Sequence, residues 1–174
     1  MSDHYMQPAV VFSHGKESGP WGTKITRLAE SARTLGYRVT SIDYQGEDDP
    51  LARLDTLLAH NPQGTPLVLV GSSMGGYVSA MAAGRLHTAA LFLMAPALYI
   101  DGYPGDPAAA GPHDTEVVHG WDDEIVPLAS SLAFAKRRRA RLHLVADDHR
   151  LAESLDFIDN VFRAQLLRVR TPAD

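Results

Sequence analysis

Ser73 is the centre of Gly71-Ser72-Ser73-Met74-Gly75, a G-x-S-x-G pentapeptide, and the four residues before it, Leu67 to Val70, are an unbroken apolar run. A short apolar run reads as a strand buried on both faces. Beyond Gly75, the residues Tyr77, Val78, Met81 and Ala82 recur at helical spacing, so Ser73 is expected at a strand-to-helix turn. A serine on such a turn is strained and its hydroxyl stands clear of the sheet, which requires small flanking residues. Gly71, Gly75 and Gly76 supply them. A hydroxyl held this way becomes a nucleophile when a nearby base takes its proton.

Two later segments offer the base and the acid that would orient it. The stretch His119-Gly120-Trp121-Asp122-Asp123-Glu124-Ile125-Val126-Pro127 follows a short apolar strand and leads into a helix that can begin at Pro127. Asp123 is the expected carboxylate, with Asp122 beside it also within reach of a base. Leu142 to Ala146 reads as a last strand, and Asp147-Asp148-His149-Arg150 as the loop after it. His149 is the expected base. Of the eight histidines, His14, His119 and His143 read as structural: His143 belongs to a strand, His119 opens a turn, and His14 shapes the first loop.

With these residues in place the chain resembles the small serine hydrolases of the α/β-hydrolase fold, particularly short lidless carboxylesterases. Four segments in register carry the resemblance: Val11 to Gly15, Val70 to Gly76, His119 to Pro127, and Asp148 to Leu151. The order Ser73, Asp123, His149 is the order that fold uses, each residue lying past the C-terminal end of a strand. The family's H-G-x-x-D spacing selects Asp123 over Asp122. The resemblance also implies where the oxyanion formed during acyl transfer is held. One donor is the backbone N–H of Met74, which follows the nucleophile at a helix N-terminus. The other is the backbone N–H of Lys16, which follows His14-Gly15 in the loop after the first strand.

These residues need a scaffold, and the chain supplies strands and helices in alternation. Strands are expected at Ala9 to Ser13, Arg38 to Ile42, Leu67 to Val70, Ala90 to Met94, Glu116 to His119 and Leu142 to Ala146. Helical periodicity lies between and after them, in Trp21 to Leu35, Leu51 to Leu58, around Leu128 to Ala135, and in Phe157 to Leu166. Alternation of this kind predicts an α/β fold, a three-layer αβα sandwich with a mostly parallel six-stranded sheet. The resemblance implies the strand order 2-1-3-4-5-6 and no lid domain. Where larger members carry a lid, this chain has only Pro96 to Asp114, room for a loop and one short helix. Leu98, Tyr99, Tyr103 and Trp121 are candidates for the walls of a substrate pocket, with core filling or plain surface exposure as the alternative.

A chain of 174 residues, 45% of them hydrophobic, can bury one sizeable core, so residues 1–174 are expected to form a single domain. The net charge of -5 gives no footprint for nucleic acid. The basic run Lys136 to Arg141 fits the C-terminal end of a helix. No apolar stretch has transmembrane length, and Asp3, His4 and Gln7 do not form a signal segment; a cytoplasmic location is the expectation. The absence of cysteine excludes disulfides and a thiolate nucleophile. No phosphate-binding loop, dinucleotide fingerprint or metal-ligand spacing is present, so neither cofactor nor metal is expected. The function implied is hydrolysis of a small-molecule carboxylic ester. An acyl thioester is the near alternative, and a binding protein that has lost turnover is the distant one.

Overall fold

The computed structural model describes residues 6–170. Six strands, β1 (Ala9–Ser13), β2 (Arg38–Ile42), β3 (Leu67–Ser72), β4 (Ala90–Met94), β5 (Asp114–Gly120) and β6 (Arg141–Val145), form one sheet in the order β2-β1-β3-β4-β5-β6. Every pairing is parallel, and the order is the one the resemblance implied. The strands fall where the apolar runs placed them, within two residues at either end. Asp3 and His4, on which the expectation about a signal segment rested, lie outside the described residues.

Side chains of consecutive strand residues point to opposite faces, and β1 shows the result. Ala9 and Val11 enter one core with Leu57, Leu69, Tyr77, Leu91 and Phe134, whereas Val10 and Phe12 enter the other with Leu28, Val70, Phe92 and Phe162. The first core is covered by α2 (Pro50–His60), α3 (Met74–Ala83) and α4 (Leu128–Arg138), the second by α1 (Thr23–Thr34) and α5 (Leu155–Arg170). The result is the three-layer αβα sandwich. The interior strands β1, β3, β4 and β5 are buried almost throughout on both faces, as crossover helices on both sides require.

The segment between β4 and β5 is a loop without a helix, and the room for one short helix is not used. It is held down along its length. Leu98 and Ala108 enter the core, the Tyr77 hydroxyl donates to the Pro104 carbonyl at 2.5 Å, and Arg137 binds both oxygens of Asp106 at 2.8 and 2.7 Å. It is thereby anchored to the core, α3 and α4. No helix among the described residues is long and apolar enough to cross a membrane.

Candidate active site

The turn between β3 and α3 holds Ser73 at φ 54° and ψ -119°, a strained conformation for a residue with a side chain. Its backbone is fixed on both sides: the N–H donates to the Met94 carbonyl at 3.0 Å, and its carbonyl accepts from Ala97 at 2.9 Å. The neighbouring glycines are required by close approach. A Cβ on Gly71 would lie 2.1 Å from the Gly75 carbonyl oxygen, and one on Gly75 would lie 1.9 Å from that of Ser13. Only a bare backbone lets α3 start this close to β1 and β3.

The structure brings Ser73, Asp123 and His149 together from three loops at the C-terminal edge of the sheet. His149 Nδ1 lies 2.7 Å from Asp123 Oδ2, and His149 Nε2 lies 3.1 Å from Ser73 Oγ. Because a carboxylate can only accept, the ring proton sits on Nδ1, leaving Nε2 as acceptor for the Ser73 hydroxyl. That is the tautomer a general base needs. Asp148, next to His149, does not touch the ring; its Oδ1 accepts from the Arg150 N–H at 2.8 Å. The His149 loop is tied to α1 by Lys24, whose ammonium donates to the Arg150 carbonyl at 2.7 Å. Burial lowers the Lys24 pKa, with Asp147 and Asp148 opposing the effect.

Asp123, not Asp122, faces His149, and its side chain is 1% exposed. Its other oxygen, Oδ1, accepts from the N–H groups of Ile125 at 2.9 Å and Val126 at 2.8 Å. A fourth group also reaches it: His119 Nε2 lies 3.2 Å from Oδ2 and 3.1 Å from the Val126 carbonyl. Both neighbours are acceptors, so Nε2 carries the proton and Nδ1 accepts from the Ser131 hydroxyl at 2.8 Å. His119 is fully buried, and burial lowers its pKa despite the pull of Val126 and Asp123. Reading the sequence assigned His119 to a turn and missed this contact. Its place four residues before Asp123 was the available signal.

Lys16 and Met74, whose backbone N–H groups were expected to hold the oxyanion, lie in the first loop and directly after Ser73. Neither the Lys16 N–H nor the Met74 N–H is hydrogen-bonded to another backbone group among the described residues. Gly15 brings the first loop against Ser73: a Cβ there would touch the Ser73 Cβ at 3.4 Å. The Lys16 side chain is exposed.

The expected pocket walls separate into three kinds. Trp121 is 59% exposed and Tyr99 41%, so both are available at the surface. Tyr103 is half-buried and meets the Tyr77 ring edge-on at 5.1 Å. Leu98 takes the core-filling alternative: it is fully buried in the core beneath α2, α3 and α4, because the segment after β4 turns inward. A cavity of about 730 Å³ lies at the other edge of the sheet, among Gln63, Pro66, Arg85, His87 and Pro112, away from Ser73. Among the described residues no group of three or more His, Asp or Glu side chains could hold a metal ion.

Comparison with known proteins shows the family. The model of the alpha/beta hydrolase family matches residues 10–173. The chain belongs to the alpha/beta hydrolase family. A Xanthomonas campestris pv. campestris protein assigned to the alpha/beta superfamily of hydrolases is 34% identical to it. That match covers 93% of this chain and 99% of the other, with a TM-score of 0.83. A second Xanthomonas campestris protein, an a/b serine hydrolase without lid, is 23% identical, with 100% and 87% coverage and a TM-score of 0.70. An esterase from Pyrococcus furiosus shares the fold at 14% identity, with 94% and 82% coverage and a TM-score of 0.76. No curated protein sequence matches. This family member is therefore a lidless alpha/beta hydrolase by fold.

Proposed function

We propose that this alpha/beta hydrolase cleaves carboxylic esters through an acyl-enzyme on Ser73. The observation that carries the reading is the continuous relay from Asp123 Oδ2 through the His149 ring to Ser73 Oγ, at 2.7 and 3.1 Å. As Ser73 Oγ attacks the ester carbonyl, His149 Nε2 takes its proton, and Asp123 holds the imidazolium that results. The carbonyl oxygen becomes negative and is met by the N–H groups of Met74 and Lys16. His149 returns the proton to the departing alcohol. It then takes one from the water that attacks the acyl-enzyme, and gives it to Ser73 Oγ as that oxygen leaves and the acid is released.

The fold shared with the Pyrococcus furiosus esterase supports an ester as substrate. The pinned segment after β4 leaves the serine without a cover, which suits small, soluble or exposed esters. A panel of aryl esters of increasing acyl length, run beside acyl thioesters, tests the substrate class, and a fluorophosphonate probe tests the nucleophile. Ester turnover with labelling at Ser73, both lost in Ser73→Ala, is the expected result. Preference for thioesters would move the substrate class, and an unlabelled, inactive chain would leave a binding protein.

A further inference from the structure

Arg53 on α2 is 1% exposed, an unusual setting for a guanidinium, and its hydrogen bonds all go to backbone carbonyls. Nε donates to Glu47 at 2.7 Å, and Nη1 donates to His14 at 3.0 Å and Gly15 at 3.3 Å. Its charge also stands over the Tyr44 ring, 5.2 Å from the centroid. Burial lowers its pKa, with Tyr44 and Asp48 opposing the effect. Stripping water from a cation and giving it carbonyls instead of a carboxylate is costly. The location of those carbonyls indicates what the cost serves.

The Gly15 carbonyl belongs to the same peptide unit as the Lys16 N–H. In a planar trans peptide the two point in opposite directions, so whatever holds the Gly15 oxygen also aims the Lys16 hydrogen. A second donor holds that oxygen: His14 Nδ1, at 2.7 Å. The tautomer is set from the far side of the ring, where His14 Nε2 accepts the Tyr44 N–H at 2.9 Å, leaving the proton on Nδ1. His14 is fully buried, and burial lowers its pKa. Gly15 also lies against the elbow: a Cβ there would meet the Ser73 Cβ at 3.4 Å and the Ser72 carbonyl oxygen at 3.6 Å.

We infer that Arg53, together with His14, is a positioning residue for the oxyanion hole. From behind the first loop the pair grips the Gly15 carbonyl and directs the Lys16 N–H at the oxygen that becomes negative when Ser73 attacks. The inference rests on the serine-hydrolase reading above. A donor displaced by about 1 Å can lower the rate by around 10²-fold, so losing the grip should affect the transition state and leave ground-state binding largely intact.

Arg53→Met and Arg53→Lys are compared with the unaltered protein on a soluble aryl butyrate. Functional sites are counted from the final stoichiometry of fluorophosphonate on Ser73. A trifluoromethyl ketone, whose serine adduct carries an oxyanion, is used as inhibitor. Arg53→Met should lower kcat per labelled site by about 10- to 100-fold with little change in KM, and weaken the ketone by a similar factor. Arg53→Lys keeps the charge but cannot span three carbonyls in a fixed fork, so it should recover only part of the loss. A merely structural arginine would reduce the number of labelled sites and leave kcat per site and ketone affinity unchanged; that result overturns the inference. If Arg53→Met does not fold, the same two numbers from Arg53→Lys decide. An unaltered protein that takes no label and turns over no ester would instead overturn the hydrolase reading, an outcome distinct from active variants with unchanged kcat.

Discussion

His119 Nε2 stands 3.2 Å from Oδ2 of Asp123, the same oxygen that receives His149 Nδ1 at 2.7 Å. One carboxylate oxygen therefore serves two histidines, one fully buried and one facing Ser73. With Oδ1 bound to two N–H groups, Asp123 cannot rotate without breaking several bonds at once. The acid is fixed before any substrate arrives.

Replacing His119 with Phe should therefore reach beyond stability. The ring would fill the space but leave the Ser131 hydroxyl without its acceptor and Asp123 with three donors. A lost hydrogen bond of this kind is worth roughly 1 to 3 kcal/mol, so the urea midpoint should fall. Turnover at saturating substrate should drop by about tenfold as the carboxylate gains freedom. Unchanged turnover would mean that His149 and the Ile125 and Val126 N–H groups fix Asp123 by themselves.

The adjacent aspartates make a sharper comparison. Asp122 is exposed, whereas the Asp123 side chain is 1% exposed and touches both histidines. Asp123→Asn should lower kcat by about 10³-fold or more, since an amide can present its N–H to His149 and favour the wrong tautomer. Asp122→Asn should change kcat less than about twofold. Steady-state rates on a soluble butyrate ester distinguish them, and equal losses would place the working carboxylate elsewhere.

Stability should fall at both ends of the pH scale for reasons that can be separated. His14 and His119 have pKa values lowered by burial, so between the ordinary histidine value and their own the unfolded chain binds more protons. Stability is then full above about pH 6.5 and declines as pH falls below it. Tyr37 and Tyr44 behave oppositely. Burial raises both to about 12, so stability is full below pH 10 and is lost as pH rises toward 12, by up to roughly 2 to 3 kcal/mol for each. Chemical denaturation at pH 5 to 12 checks this. Tyr37→Phe should flatten the alkaline limb only, and an unaltered limb would show that the Tyr37 hydroxyl, bonded to Leu166 at 2.7 Å, titrates normally.

Glycines at the site should differ from those elsewhere. A Cβ on Gly120 would lie 2.3 Å from the Asp147 carbonyl oxygen, which itself holds the Asp122 N–H at 3.0 Å, so Gly120 brings the acid loop and the His149 loop together. Gly120→Ala should cost about 3 kcal/mol or more. Gly22→Ala is the control: nothing lies within 4 Å of its Cβ and φ is -64°, so thermal melting should show little change. Comparable losses in both would mean that the approach of the two loops is looser than described.

The segment after β4 predicts a kinetic property. Because it is anchored through Leu98, Pro104 and Asp106, it has no free apolar cover to open at a lipid surface. Rates should saturate smoothly as a short-chain ester is raised through its solubility limit. A jump in rate at that limit would show a moving cover.

Strand positions, the elbow at Ser73 and the loops carrying Asp123 and His149 were legible in the chain. Each depends on short-range spacing: apolar runs such as Leu67 to Val70, and glycines such as Gly71 and Gly75, which report a close approach whatever the partner. Spacing reports that a residue is buried, not what it is buried against. Arg53 falls on the inner face of α2 with Leu54 and Leu57, an anomaly visible in the sequence, but its grip on Gly15 depends on packing between residues 38 apart. His119 reaches Asp123 only because the loop after β5 folds back on the strand end, and Leu98 is core only because the chain turns inward after β4. Local periodicity follows from backbone geometry, which every residue carries with it. Long-range contacts follow from how the sheet and the helices on its two faces fill one space, and that was decided only by the packed tertiary structure.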